Sequence, residues 1–170
     1  MKPSRESFWR RVAMEFDKLN VALLQNTSAL FSEGSREYQA LQKTLLREAE
    51  TEWERRHIRR LAAHNILSFA HFRARTWDEY RRALLRVQRL DYPSLEYRMH
   101  AACETLEWAA DHDPTKAALG WTMVEETERR LRRLRRRHPV RKQALAALAS
   151  VKQRVARKGL TPPGAFKRTP

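Results

Sequence analysis

Nine basic residues lie within fourteen consecutive positions near the end of the chain. They are Arg129, Arg130, Arg132, Arg133, Arg135, Arg136, Arg137, Arg141 and Lys142. A guanidinium group is planar and permanently charged, and it pairs with two phosphate oxygens at once. On one helix rising about 1.5 Å per residue, these side chains would extend along about 20 Å, which matches several phosphates of a nucleic acid strand. The chemistry predicted here is the binding of phosphate groups.

The net charge of the chain comes from this end. The whole sequence has 35 Lys/Arg and 20 Asp/Glu, a net charge of +15. All 20 acidic residues precede Arg129, whereas the last 42 residues contain 15 basic residues and no acidic one. A GC-rich genome can account for many arginines, but codon bias does not explain the absence of acids beyond Glu128. A charge segregated in this way attracts polyanions.

The expected nucleic-acid contacts follow from this segregation. They are Arg129, Arg130, Arg132, Arg133, Arg136, Arg137, Arg141, Lys142, Lys152, Arg154, Arg157 and Lys158. Only one aromatic residue, Phe166, lies beyond Glu128, so stacking on unpaired bases is not expected. Phosphate contacts give little sequence preference, and either DNA or RNA would satisfy them. An acidic protein partner that binds the same cations is the alternative.

A second, mixed group of charges occurs earlier in the chain. Its basic members are Arg55, Arg56, Arg59, Arg60, Arg73, Arg75, Arg81, Arg82, Arg86 and Arg89. Acids are interspersed among them, and the i,i+4 spacing predicts ion pairs of Glu52 with Arg56 and of Asp78 with Arg82, each worth about 0.2–0.5 kcal/mol. A salt-bridged solvent face is favoured here over a second binding surface.

Residue patterns typical of enzymes are weak in this sequence. His57, His64 and His71 are seven residues apart, which separates successive imidazoles by about 10.5 Å along a helix, too far for one zinc ion. Glu54 and His57 match half of a helical di-iron motif, but the second half is absent. Glycine-rich phosphate loops are absent as well. We therefore expect a non-catalytic protein without metal or cofactor.

Cys103 is the single cysteine, and its setting indicates whether the thiol is reactive and which cellular compartment suits the protein. It falls in the apolar series Leu95, Met99 and Leu106, which predicts a small core residue rather than a thiolate paired with His100. One cysteine also excludes an intramolecular disulfide and suits a reducing compartment. No apolar run reaches the length of a membrane span. A cytoplasmic protein is expected.

The composition is that of an all-α protein, because only four Gly and seven Pro are present and helix-forming residues dominate. A bundle of five to six helices is predicted. The first two helices are expected over 4–30 and 35–73, the second with a possible kink near His64. The third is capped by Thr76 and Glu79 and ends before Pro93. The remaining helices are expected over 95–110, 114–138 and 140–158, with Gly159 after the last.

Charge suggests a division into three parts. These are a charge-neutral helical body over 1–128, an Arg-rich helical end over 129–158 that packs on or extends it, and a flexible basic tail over 159–170. Tryptophans at helical positions are expected in the core or between helices, with one or two available to a partner subunit.

In size, all-helical character and basic charge, the whole chain resembles the helical small subunits of CRISPR effector complexes. The resemblance is one of bulk properties and carries no motif and no residue assignments. It implies a subunit that lies along a nucleoprotein complex and helps to hold guide and target strands, with protein partners or self-association. Chromosome-, plasmid- or phage-associated binding proteins have similar composition and are equally open.

Overall fold

The computed structural model describes residues 5–90 and 94–163. Within these ranges the protein is all-α, as predicted, with no strand. It has seven α-helices rather than five to six, and it divides into an N-terminal unit of residues 1–90 and a C-terminal unit of residues 91–170. The helices are α1 (Arg5–Gln25), α2 (Phe31–Glu48), α3 (Glu52–Arg73), α4 (Trp77–Gln88), α5 (Leu95–His112), α6 (Ala117–Arg133) and α7 (Pro139–Arg157), with a 3₁₀ turn at Pro114–Lys116 before α6.

The additional helix comes from a break in the long helix expected over 35–73. The Thr51 hydroxyl accepts a hydrogen bond from the Glu54 amide at 3.1 Å, and the Glu54 carboxylate accepts from the Thr51 amide at 2.9 Å. This capping box begins α3, because it satisfies amides that have no partner within the helix. From Glu52, α3 continues as one helix to Arg73.

The boundary between α1 and α2 also differs from the prediction. The first helix ends at Gln25 rather than near Leu30, and Gly34 and Ser35 lie inside α2 instead of ending one helix and capping the next. Gly34 is required by packing. A Cβ atom at this position would overlap the Phe69 ring of α3, so α2 and α3 can approach closely only at a glycine.

Helix α3 packs against α1, α2 and α4 and forms the centre of the N-terminal unit. The Tyr38 hydroxyl donates a hydrogen bond to the Asn20 side-chain oxygen, and burial raises the pKa of Tyr38 to about 12. Trp53 and Phe72 continue the apolar spacing of α3, but they are 55% and 63% exposed. They lie on the solvent side, because the three packing partners leave part of the helix surface uncovered.

The C-terminal unit has its own core, shared by α5, α6 and α7. Its buried members are Ala102, Leu106, Ala109, Ala117, Trp121, Val124, Leu131, Ala144, Leu148, Val151 and Val155. Gly120 of α6 lies against the α5 backbone, where an added Cβ would be 2.6 Å from Leu106 Cα. Helix α7 therefore belongs to the packed core of this unit.

Several predicted helix ends are confirmed by their caps. Thr76 and Glu79 form the expected reciprocal pair at the start of α4, with both hydrogen bonds at 3.3 Å. Asp113 accepts from the Thr115 amide at 3.1 Å and precedes Pro114 in the 3₁₀ turn. Gly159 follows α7 with φ +82°, the left-handed conformation expected after a C-cap. The predicted tail beyond Pro163, with Lys167 and Arg168, lies outside the described residues.

Candidate nucleic-acid interface

The arginine cluster lies where α6 meets α7. Helix α6 ends at Arg133, so the expected continuous helix to His138 is wrong. The backbone of Leu134 is extended, with ψ 150°, and its side chain is half-buried against the core of the C-terminal unit. A turn of residues 134–138 follows, and Pro139 occupies the first position of α7. The leucine thus anchors the turn to the core.

The turn places the arginines on the surface. A hydrogen bond from the His138 amide to the Arg135 carbonyl, at 2.9 Å, closes it. Seven cations at this junction are exposed and form no hydrogen bond or ion pair through their side chains with the described part of the chain; we call them the junction cations. They are Arg129, Arg130, Arg133, Arg135, Arg136, Arg137 and Lys142. Because no carboxylate neutralises them, they make a concentrated positive surface.

Four of the other expected contact residues are paired with acids. These ion pairs join Arg132 and Lys152 to Glu128, Arg154 to Glu107, and Lys158 to Asp111. The acids belong to α5 and α6, whereas Lys152 and Arg154 belong to α7 and Lys158 is its C-cap residue. The ion pairs made by Lys152, Arg154 and Lys158 therefore hold α7 against α5 and α6. They also weaken the positive potential along the C-terminal half of α7, although Arg157 is exposed there.

Glu128 is the most strongly engaged of these acids. Hydrogen bonds from Lys152 at 2.7 Å and then from Arg132 lower the pKa of the Glu128 carboxyl below its usual range. The carboxylate is consequently ionised at neutral pH. It offsets the charge of Arg132, although Arg132 lies on the same helix as three junction cations.

Arg141 differs from its neighbours because it is only half-exposed. Its Nε atom is buried and has no hydrogen-bond partner. It lies in the first turn of α7, which contains no acidic residue, and His138 provides no side-chain cap there. The partial positive charge of a helix N-terminus thus adds to the charge of Arg141 and Lys142 instead of being offset by a carboxylate.

Packing and charge divide the chain at different places. The N-terminal unit has 18 Lys/Arg and 11 Asp/Glu, a net charge of +7. Residues 91–128 have 2 Lys/Arg and 9 Asp/Glu, a net charge of −7, and they fold with α7 in the C-terminal unit. The neutrality of residues 1–128 is therefore an average over a basic unit and an acidic segment, and the expected boundary at residue 128 falls within α6.

The second group of arginines is neutralised only in part, around Glu52. Glu52 Oε1 lies 3.6 Å from Arg56 Nε, which confirms the predicted ion pair, and 3.3 Å from Arg59 Nη1. The pair predicted for Asp78 and Arg82 is not an ion pair. Arg82 Nε donates to the main-chain carbonyl of Asp78 at 3.2 Å.

The residues considered for catalysis or metal binding have structural roles. Glu54 is engaged in the capping box of α3, and the His57 ring stacks on Trp53 with centroids 5.6 Å apart. Burial, followed by the nearby carboxylates of Glu107 and Glu104, raises the pKa of Cys103 to about 12, which leaves the thiol protonated. Among the described residues no group of three potential ligands could hold a metal ion. None of the helices that the structure describes is long and apolar enough to cross a membrane.

No protein family model, curated protein or solved structure matches this chain. The functional argument therefore rests on the geometry and charge of the chain itself.

Proposed function

We propose that this protein binds nucleic acid through the phosphate backbone, with the junction cations as the contact surface, and that it is not a catalyst. One observation carries the proposal. Within the part of the chain that the structure describes, seven exposed cations are grouped at the α6–α7 junction without an acidic partner, whereas Lys152, Arg154 and Lys158 are paired with acids of their own unit. Like charges at this density repel one another, and a polyanion relieves that repulsion.

The mode of binding follows from the side chains present. Arginines recognise phosphate oxygens bidentately, and residues 129–142 contain no Phe, Tyr or Trp ring on which a base could stack. Phosphate contacts position a protein on a strand without reading its sequence. We infer an accessory role in a nucleoprotein assembly, such as the place that a small subunit takes in a CRISPR effector complex.

The test is a measurement of affinity against salt concentration for the full chain with matched single- and double-stranded DNA and RNA. If all seven junction cations contact phosphates of a DNA duplex, log Kd should change with log salt with a slope of magnitude about 6. An affinity that does not respond to salt would contradict the proposal. Binding of an acidic protein in preference to every nucleic acid would support the adaptor alternative.

Point variants are the suitable companions to this measurement. A truncation after Glu128 would remove Leu131, Leu148, Val151 and Val155 from the core of the C-terminal unit, and its loss of binding would report unfolding.

A further inference from the structure

We propose that the N-terminal unit contains a separate binding pocket for a phosphomonoester, between α2 and α4. The pocket is an open cavity of about 450 Å³. Helix α2 contributes Ser32, Ser35, Arg36 and Gln39, and α4 contributes Arg82 and Arg86. Neither the proposed nucleic-acid interface nor any helix of the C-terminal unit takes part in it.

The charge of the lining points to an anion. Three arginines from two helices surround the cavity, and no carboxylate lines it. Neither Arg36 nor Arg86 makes a side-chain hydrogen bond or ion pair with the described chain, and Arg82 uses only its Nε, on the Asp78 carbonyl. Their terminal N–H groups are therefore available to a ligand. Converging cations without a counterion are costly, and a doubly charged phosphate offsets that cost.

Two acids of these helices, Glu33 and Glu79, are engaged in helix capping, and neither Glu37 nor Asp78 lines the cavity. The Glu33 carboxylate accepts from the Leu30 amide at 3.1 Å, and the Glu79 carboxylate accepts from the Arg75 amide at 2.9 Å. These contacts direct both carboxylates to the helix starts. The positive charge of the cavity is thus preserved although acids are close in sequence.

The uncharged part of the lining favours an organic ligand over a free ion. Phe31 lies at the buried end of the cavity, where its ring stacks on Phe69 with centroids 6.4 Å apart. Ser35 is also buried, and its hydroxyl accepts from the side-chain Nε2 of Gln39 at 3.2 Å. The volume lies in the range of sites for small organic ligands and exceeds the needs of phosphate alone. A phosphomonoester fits, either as a small phosphorylated metabolite or as the 5′ end of a nucleic acid strand.

The experiment follows amide NMR shifts of the full chain during titration with inorganic phosphate, AMP and adenosine. AMP and phosphate should shift the amides of residues 31–39 and 82–86, AMP should bind more tightly than phosphate, and adenosine should leave these amides unshifted. A titration in which adenosine matches AMP, or in which no ligand shifts these amides, would overturn the proposal.

Two double variants with equal loss of charge separate the pocket from general electrostatics. The change R82A/R86A removes two arginines from the cavity, whereas R81A/R89A removes two exposed arginines at the same helix that do not line it. The first should weaken AMP binding at least about tenfold and the second less than about twofold. Equal losses would refute a defined pocket. Circular dichroism checks that both variants keep their helices.

The source of the phosphate is decided by a pair of oligonucleotides with and without a 5′ phosphate. They are compared in a junction variant, R133A/R136A/R137A, so that backbone binding does not mask the end. If the protein prefers the phosphorylated strand and R82A/R86A abolishes that preference, the ligand is a strand end. If the protein binds AMP but shows no such preference, the ligand is a small metabolite. The proposal is independent of nucleic-acid binding at the junction, since the junction variant should bind AMP as the wild type does.

Discussion

Exchanging three cations at the junction should weaken nucleic-acid binding far more than exchanging three cations of α7 that are paired with acids. The two variants are R133A/R136A/R137A and K152A/R154A/K158A. Each lowers the net charge of +15 by three, so long-range attraction falls equally in both. The decisive difference is whether the lost cations were free to meet a phosphate.

The magnitude follows from counterion release. Each phosphate contact contributes about 0.9 to the slope of log affinity against log salt on a DNA duplex, and about 0.7 log units of affinity at 0.15 M salt. Losing three contacts should reduce the slope by about 2.7 and the affinity about one hundredfold. For the α7 variant we expect a change in slope below about 1, because these cations are held by Glu128, Glu107 and Asp111.

The assay is fluorescence anisotropy with a labelled duplex and a labelled single strand at five salt concentrations. Circular dichroism melting accompanies it, since the three α7 cations also stabilise the fold, each pair by about 0–1 kcal/mol at its level of exposure. Equal losses of slope in the two variants would refute the division into free and paired cations. A larger loss in the α7 variant, with its fold intact, would place the interface on that helix instead.

Three further changes have outcomes that the structure predicts. Gly120→Ala should lower the melting temperature, because overlap of the new Cβ with the Leu106 backbone costs about 1–3 kcal/mol. This cost outweighs the stabilisation of about 0.5–1 kcal/mol that alanine gives a helix relative to glycine. An unchanged melting temperature would contradict the close packing of α5 and α6. Glu128→Gln should destabilise the C-terminal unit at neutral pH yet steepen the salt slope by about 1–2, because it releases two cations. Burial and then Arg60 lower the pKa of His57 in the folded protein. The stability that the neutral imidazole confers is therefore present above about pH 6.5 and is lost as pH falls through the folded-state pKa. Urea unfolding, followed by tryptophan fluorescence at pH 7.5 and 5.5, should show this loss of stability in the wild type and a smaller loss in His57→Gln.

Local signals in the sequence predicted much of the fold. The capping residues Thr76 and Glu79 marked the start of α4 correctly, because a cap depends on hydrogen bonds within four residues. The helix predicted over 140–158 is present as α7, and its apolar positions Ala144, Leu148, Val151 and Val155 are buried on one face. The missed break before α3 carried the same signal, a threonine followed three residues later by Glu54.

Features that depend on long-range packing were not predictable in this way. Periodicity continued through Leu134, but the core of the C-terminal unit draws this side chain inward and ends α6 early. Trp53 and Phe72 keep the period of a buried stripe, yet they are largely exposed. Sequence periodicity shows which face of a helix is apolar, and it does not show how many neighbours that helix will have.

For the candidate interface, the sequence by itself determined that the chain ends in a cationic segment without acids, because charge is a property of residue types and their order. Only the tertiary structure decided which cations are free. Glu107, Asp111 and Glu128 precede the cationic segment, and folding brings them against α7, where they neutralise Lys152, Arg154 and Lys158. An ion pair requires its two groups within about 4 Å, and between separate helices that distance is set by packing alone.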